Sequence, residues 1–255
     1  MKNSTIKENN KNKNNLNYTA GGFIFLIAAW KLLSLHYKPI ILPSPELTLF
    51  TIFEMLQDGE FWFNISQSFY RVSAAYVLSL ISGTVIGVFM GLEKKADNAF
   101  GPFISMLQTI PNISWILLAI IWFGLNSKII IFTIFISILP IFVINSREGI
   151  KNTDPELLEM ADIYNLRKKT TFLKIYLPSI APYIRSAGII TVERTWKIGA
   201  MAELLSLDTG IGAGLYWARN NLQTERIFAW TIILILLGFL SSQLLKKILT
   251  AGNCR

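Results

Sequence analysis

Six apolar runs divide the chain, at residues 18–35, 68–92, 102–125, 128–145, 184–205 and 227–245. A run of about 20 mostly apolar residues crosses the roughly 30 Å hydrocarbon core of a bilayer as one helix. The pattern predicts an all-α integral membrane protein with about six transmembrane helices. "HYKPIILPSP" follows the first run and offers no small-residue cleavage site, so that run reads as a retained helix. Pro111 falls inside the third run, where its freed carbonyl needs a bend or a neighbouring helix. Residues 42–56 read as a short surface helix, with Ser44 as cap, Pro45 at the first position and Glu46 in the first turn.

The polar stretches carry as much information. Residues 1–17 hold four lysines, one glutamate and many asparagines, and read as a disordered tail. Residues 147–183 form the longest polar segment between apolar runs. Within it, Asp154, Pro155 and Glu156 make a strong helix start. Leu157, Met160, Ala161 and Tyr164 then share one face, and Asn165 tolerates the left-handed conformation that ends helices. A second short helix is expected from Thr170 or Thr171 through Ile175, stopped by Pro178. The segment is thus a helix-turn-helix hairpin with an apolar ridge, suited to a groove on a soluble partner.

Composition agrees with a membrane protein: 52% of residues are hydrophobic, 16% are charged and the mean hydropathy is +0.45. The net charge of +8 is spread over loops, which argues against a nucleic-acid partner. Lys94, Lys95, Arg147, Lys151, Arg167, Lys168, Lys169 and Lys174 concentrate between alternate runs, together with the N-tail lysines. Excess Lys and Arg mark cytoplasmic loops, so both termini and the 147–183 loop are expected inside. His36 is the only histidine and Cys254 the only cysteine, which excludes a His-x-x-x-His zinc site and a disulfide framework. No Gly-Lys pair occurs, so the chain has no P-loop and no cofactor of its own is expected.

The fifth run holds Glu193, Arg194 and Lys197. Each charge costs about 2.5–3.5 kcal/mol at mid-bilayer on insertion scales, so none should face lipid. Glu193 and Lys197 are four apart and can pair. One reading places these residues on a water-filled pathway, with Arg194 attracting an anionic solute or gating. The other places them, fully paired, at a subunit interface or near a helix end. Trp196 and Glu203 are weaker pathway candidates. "GIGAG" at 210–214 has no preceding strand and reads as a flexible connection, not a nucleotide fingerprint.

Glu159-Met160-Ala161, three residues, Asn165, nine residues and then Ile175-Tyr176-Leu177-Pro178 resembles the cytoplasmic-loop motif of binding-protein-dependent ABC importer permeases. That motif has Glu-Ala-Ala, Gly and Ile-x-Leu-Pro at the same spacing, so Met160 and Asn165 are departures from it. "LPSPELTLF", "IPNISWILLAIIWFGLNSKIIIF" and "AELLSLDTGIGAGLYWARNNLQTERIFA" look like the nitrate/sulfonate/taurine branch. The resemblance implies a type I importer fold over residues 18–250 and a prokaryotic cytoplasmic (inner) membrane location. It implies that Leu157, Glu159, Met160, Ala161, Asn165, Ile175, Leu177 and Pro178 couple to the ATPase. It also implies two ATPase subunits that bind the ATP, an extracytoplasmic solute-binding protein and a permease homodimer. An integral membrane enzyme is the alternative, but no His-rich, Asp-x-x-Asp or Ser/Lys cluster supports one. An energy-coupling-factor type protein would carry Ala-Arg-Gly signatures, which are lacking.

Overall fold

The computed structural model describes Tyr18 and residues 21–251, and every regular element among them is helical. The expected tail 1–17 and Cys254 lie outside the described residues. Helix α1 (Gly21–His36) is followed by α2 (Pro45–Leu56), α3 (Gly59–Leu92), α4 (Lys94–Leu107), α5 (Asn112–Phe123) and α6 (Ser127–Lys151). Then come α7 (Pro155–Ile163), α8 (Lys168–Thr171), a π turn (Phe172–Tyr176), α9 (Leu177–Ser206), α10 (Ile211–Asn220) and α11 (Thr224–Ala251).

The centre is a sandwich of α3, α6 and α9. Ser79, Gly83, Gly87 and Gly91 recur every fourth residue along α3. A Cβ on Gly87 would lie 2.3 Å from the Val143 carbonyl oxygen, and one on Gly91 2.6 Å from Ile150 Cβ. The small stripe therefore lets α3 and α6 touch backbone to backbone, a packing mode on which helices in lipid rely. Ile134, Ile138, Phe142 and Trp196 are buried against this seam. At one end of the bundle, Arg147 joins Asp97 at 3.0 Å and Glu148 at 2.8 Å, while Lys151 also pairs with Asp97. These bonds fix the start of α4 to the end of α6.

The surface helix is as expected: Ser44 Oγ accepts from the Leu47 N–H at 3.2 Å. Lys31 Nζ meets Glu46 at 2.7 Å, tying α1 to α2 and holding the Glu46 carboxyl below the usual carboxylate range. Trp30 donates to the Pro43 carbonyl at 3.0 Å and stacks on Phe228 of α11.

Among the described residues, three helices qualify as membrane spans by their own length and apolarity (α3, α6 and α11), or four if the bent pair α4–α5 counts as one. Of the remaining two runs expected to span, α1 is about 24 Å long. Helix α9 is long enough, but it carries Arg185, Glu193, Arg194, Lys197 and Glu203. The run around Pro111 is sharply bent, α4 and α5 meeting at 95°. Pro111 is the N-cap of α5, where its missing N–H is no loss. One expectation is corrected: Pro178 does not stop a helix. The chain stays helical from α8 through the π turn into α9, with Leu177 N–H bonded to the Phe172 carbonyl. The widened turn relieves the clash that a proline ring makes with the carbonyl four residues back, and Ser179 Oγ donates to the Ile175 carbonyl at 2.8 Å.

Candidate functional sites: an exposed hairpin, a charged helix face and a buried lock

Helix α7 is capped at both ends. Asp154 accepts from the Glu156 N–H at 3.0 Å, and Pro155 occupies the first turn. At the other end Asn165 has φ 51°, in the left-handed region. Leu166 N–H reaches the Ala161 carbonyl at 2.9 Å and Asn165 N–H the Asp162 carbonyl at 3.0 Å. This pair is the Schellman closure that normally employs glycine. Between the caps, Leu157, Met160, Ile163 and Tyr164 are all exposed, Ile163 and Tyr164 by more than 70%. Glu159 is exposed beside them. Ala161 is buried, so it does not belong to the exposed ridge as its helical spacing had implied. In the second arm Ile175 is buried while Leu177 and Pro178 are exposed.

On α9, Glu193, Arg194 and Lys197 are exposed, and no ion pair joins Glu193 to Lys197 among the described residues. Arg194 and Lys197 face a cleft of about 330 Å³ shared with Gln108, Asn112, Ser137, Ile138, Ile141, Ile198 and Met201. Glu193 lines a neighbouring groove with Leu234, Gly238 and Phe239 of α11, and Lys197 borders both this groove and the cleft. Trp196 is packed away: it is buried, its ring lies 6.3 Å from Phe69, and its Nε1 donates to Ser241 Oγ at 3.0 Å.

Glu203 is buried in a lock at the far end of α9. Its carboxylate accepts from Ser68 Oγ at 2.7 and 2.9 Å, from Arg71 Nη1 at 2.8 Å and from the Gly212 N–H at 3.1 Å. Arg71 is itself buried and also donates to Ser127 Oγ, Thr209 Oγ1 and the Thr209 carbonyl. Asn64 and Ser68 accept from the Gly210 and Ile211 N–H groups. The N–H groups of Gly210, Ile211 and Gly212 thus point at side chains of α3 and α9, with a carboxylate at the positive end of the helix. "GIGAG" is accordingly a helix start and not a flexible link. Gly210 has φ 110°, and a Cβ there would sit 2.4 Å from the Glu203 carboxylate. A Cβ on Gly212 would lie 2.2 Å from the Ala200 carbonyl oxygen.

Sequence reasoning missed Arg71, Ser68 and Asn64. The signal was an arginine within an otherwise apolar run, which in a membrane protein calls for a partner. It also missed Gln108 and Asn112, which the α4–α5 bend places in the cleft with Arg194, and Ser137, which α6 supplies.

The family model described as "Binding-protein-dependent transport system inner membrane component" matches residues 83–251. The putative aliphatic sulfonates transport permease protein SsuC of Escherichia coli is 31% identical over 233 residues, covering 89% of each chain. The nitrate import permease protein NrtB of Leptolyngbya laminosa is 27% identical over 234 residues, covering 89% of this chain and 84% of that one. Among solved structures, a bacterial ABC transporter involved in the import of the acidic polysaccharide alginate aligns at TM-score 0.68 and 14% identity, over 94% of this chain and 97% of that one. The MetNI methionine ABC transporter in an inward-facing conformation aligns at TM-score 0.66 and 14% identity, over 74% and 94%. The fold is that of a type I ABC importer permease, and the chain belongs to the family of binding-protein-dependent transport system inner membrane components.

Proposed function

We propose that this permease subunit takes up a small oxyanion, driven by two ABC ATPase subunits that dock on α7. Transport through the membrane is the family's role. The observation that carries the docking reading is the ridge of Leu157, Met160, Ile163 and Tyr164, exposed on a helix capped at both ends. Apolar side chains held rigidly in water mark an interaction surface. Glu159 stands at its rim, and the continuous backbone through Leu177 and Pro178 into α9 transmits the movement of the docked partner. ATP is bound by the ATPase chains. An extracytoplasmic binding protein delivers the solute, and two copies of this chain enclose the pathway.

The lysine- and arginine-rich ends, including 147–183 and both termini, lie on the cytoplasmic side. Arg194 and Lys197 line the pathway, with Glu193 nearby. Trp196 and Glu203 shape it from behind by packing and by locking α9 to α10. The oxyanion class rests on the two cations and on the sulfonate and nitrate named for the relatives. The test is ATP-dependent uptake in cells carrying Glu159→Lys. Uptake falls while the chain still inserts and melts normally; unchanged uptake overturns the docking role of Glu159.

A further inference from the structure

We propose that the cleft between the α4–α5 bend, α6 and α9 is a specific oxyanion-binding site within the permease itself; this rests on the transport reading above. Arg194 and Lys197 reach into the cleft from successive turns of α9, and neither forms an ion pair among the described residues. Gln108, Asn112 and Ser137 supply further polar groups, and no Asp or Glu lines the cleft. Glu193 lies in the neighbouring groove that Lys197 also borders, without an ion pair to it among the described residues, so the cleft itself presents two cations and no acid to an anion. Helix α5 opens at Asn112 with no side-chain cap, so its first N–H groups add partial positive charge at the same place.

Depth argues against a lipid headgroup as the occupant. Ser137 and Ile141 stand ten residues from Ser127 and Lys151, the two ends of α6. At the helical rise, each is about 15 Å from its end, near mid-membrane. Phosphate headgroups sit at the interface, whereas a solute in transit passes this level. A cavity of about 330 Å³ holds a compact anion with several waters, since one water occupies about 30 Å³. A long acyl chain would leave both cations facing hydrocarbon. The substrate class is therefore a compact oxyanion with several acceptor oxygens, which suits Arg194 as a forked donor and Lys197 as a point charge.

The experiment uses the permease–ATPase complex in nanodiscs, without binding protein. Binding of radiolabelled sulfate, methanesulfonate and nitrate is measured, with choline as a cationic control, and co-purifying phospholipid phosphate is assayed. At least one anion is expected to bind saturably. Arg194→Gln and Lys197→Gln each weaken binding about tenfold or more. Arg194→Lys recovers part of it, and Lys128→Gln, remote at the start of α6, leaves it unchanged. Saturable binding of none of the anions, binding indifferent to both cleft variants, or phospholipid held by the wild type and lost from the variants would each overturn the site. Failure of the transport reading looks different: no ATPase assembles with the chain and no ATP-driven uptake occurs, whatever the anion result.

Discussion

At Asn165 the backbone holds φ 51° to close the α7 turn. Asparagine pays less strain there than any other residue except glycine. Asn165→Gly should therefore keep the Schellman bonds and alter stability by less than about 1 kcal/mol, whereas Asn165→Val should destabilise the turn by about 1–2 kcal/mol. Limited proteolysis between α7 and α8 reads the difference. The Arg71–Glu203 pair sits at the other extreme, buried and fully bonded. Removing one partner of such a pair leaves an uncompensated buried charge, at about 3–5 kcal/mol. Arg71→Met is expected to lower the melting temperature of the detergent-solubilised protein sharply, and the double variant Arg71→Met with Glu203→Leu less so. An equal or larger loss in the double variant would show that packing, not the charge, is what Arg71 supplies. Both residues are plain in the sequence, but their partnership spans 132 positions, and no local pattern joins residues so far apart.

Among the elements, α9 explains most of what the pattern alone could not tell. The helix start at Asp154-Pro155-Glu156, the surface helix behind Ser44 and the Asn165 turn were all legible, because capping chemistry is local. The continuation through Pro178 was not. It depends on a π turn, which no residue type announces. Pro111 in the sequence announces a bend or a neighbouring helix, but not the 95° angle between α4 and α5. If the π turn stiffens the path from α7 into α9, Pro178→Ala should let the helix relax to a regular ladder and shift the register of α7 against α9. ATP hydrolysis by the assembled complex should then persist while its stimulation by solute-loaded binding protein falls. Undiminished stimulation would argue that the turn is only a structural accommodation.

On the scale of the whole molecule, the fold class and the family were readable from six apolar runs and one spaced motif. Among the described residues, three of the six runs pass as spans on their own length and hydropathy, or four with the bent pair. A charged helix such as α9 and a short one such as α1 are placed by their neighbours, not by their own hydropathy. The same reasoning separates the two faces of α9. Its small and apolar residues meet α3 and α6, while Arg194, Lys197 and Met201 look into the cleft. Gly199 marks the packed side, where a Cβ would lie 3.0 Å from Val72 and 3.3 Å from Ile134. Gly199→Leu should force α9 off α3 and reduce folded yield, measured as the monodisperse fraction on size-exclusion chromatography. Met201→Leu, on the open side, should leave that yield unchanged.

The central claim, that α7 is where the ATPase engages, is tested most directly by mild solubilisation of native membranes. The chain is captured by an N-terminal tag, and wild type is compared with a Met160→Glu, Tyr164→Glu variant of matched thermal stability. An ABC ATPase in stoichiometric amount with the wild type, lost from the variant, is the predicted result. An ATPase retained in full by the variant, or absent from the wild type under conditions that preserve a control transporter, would contradict it.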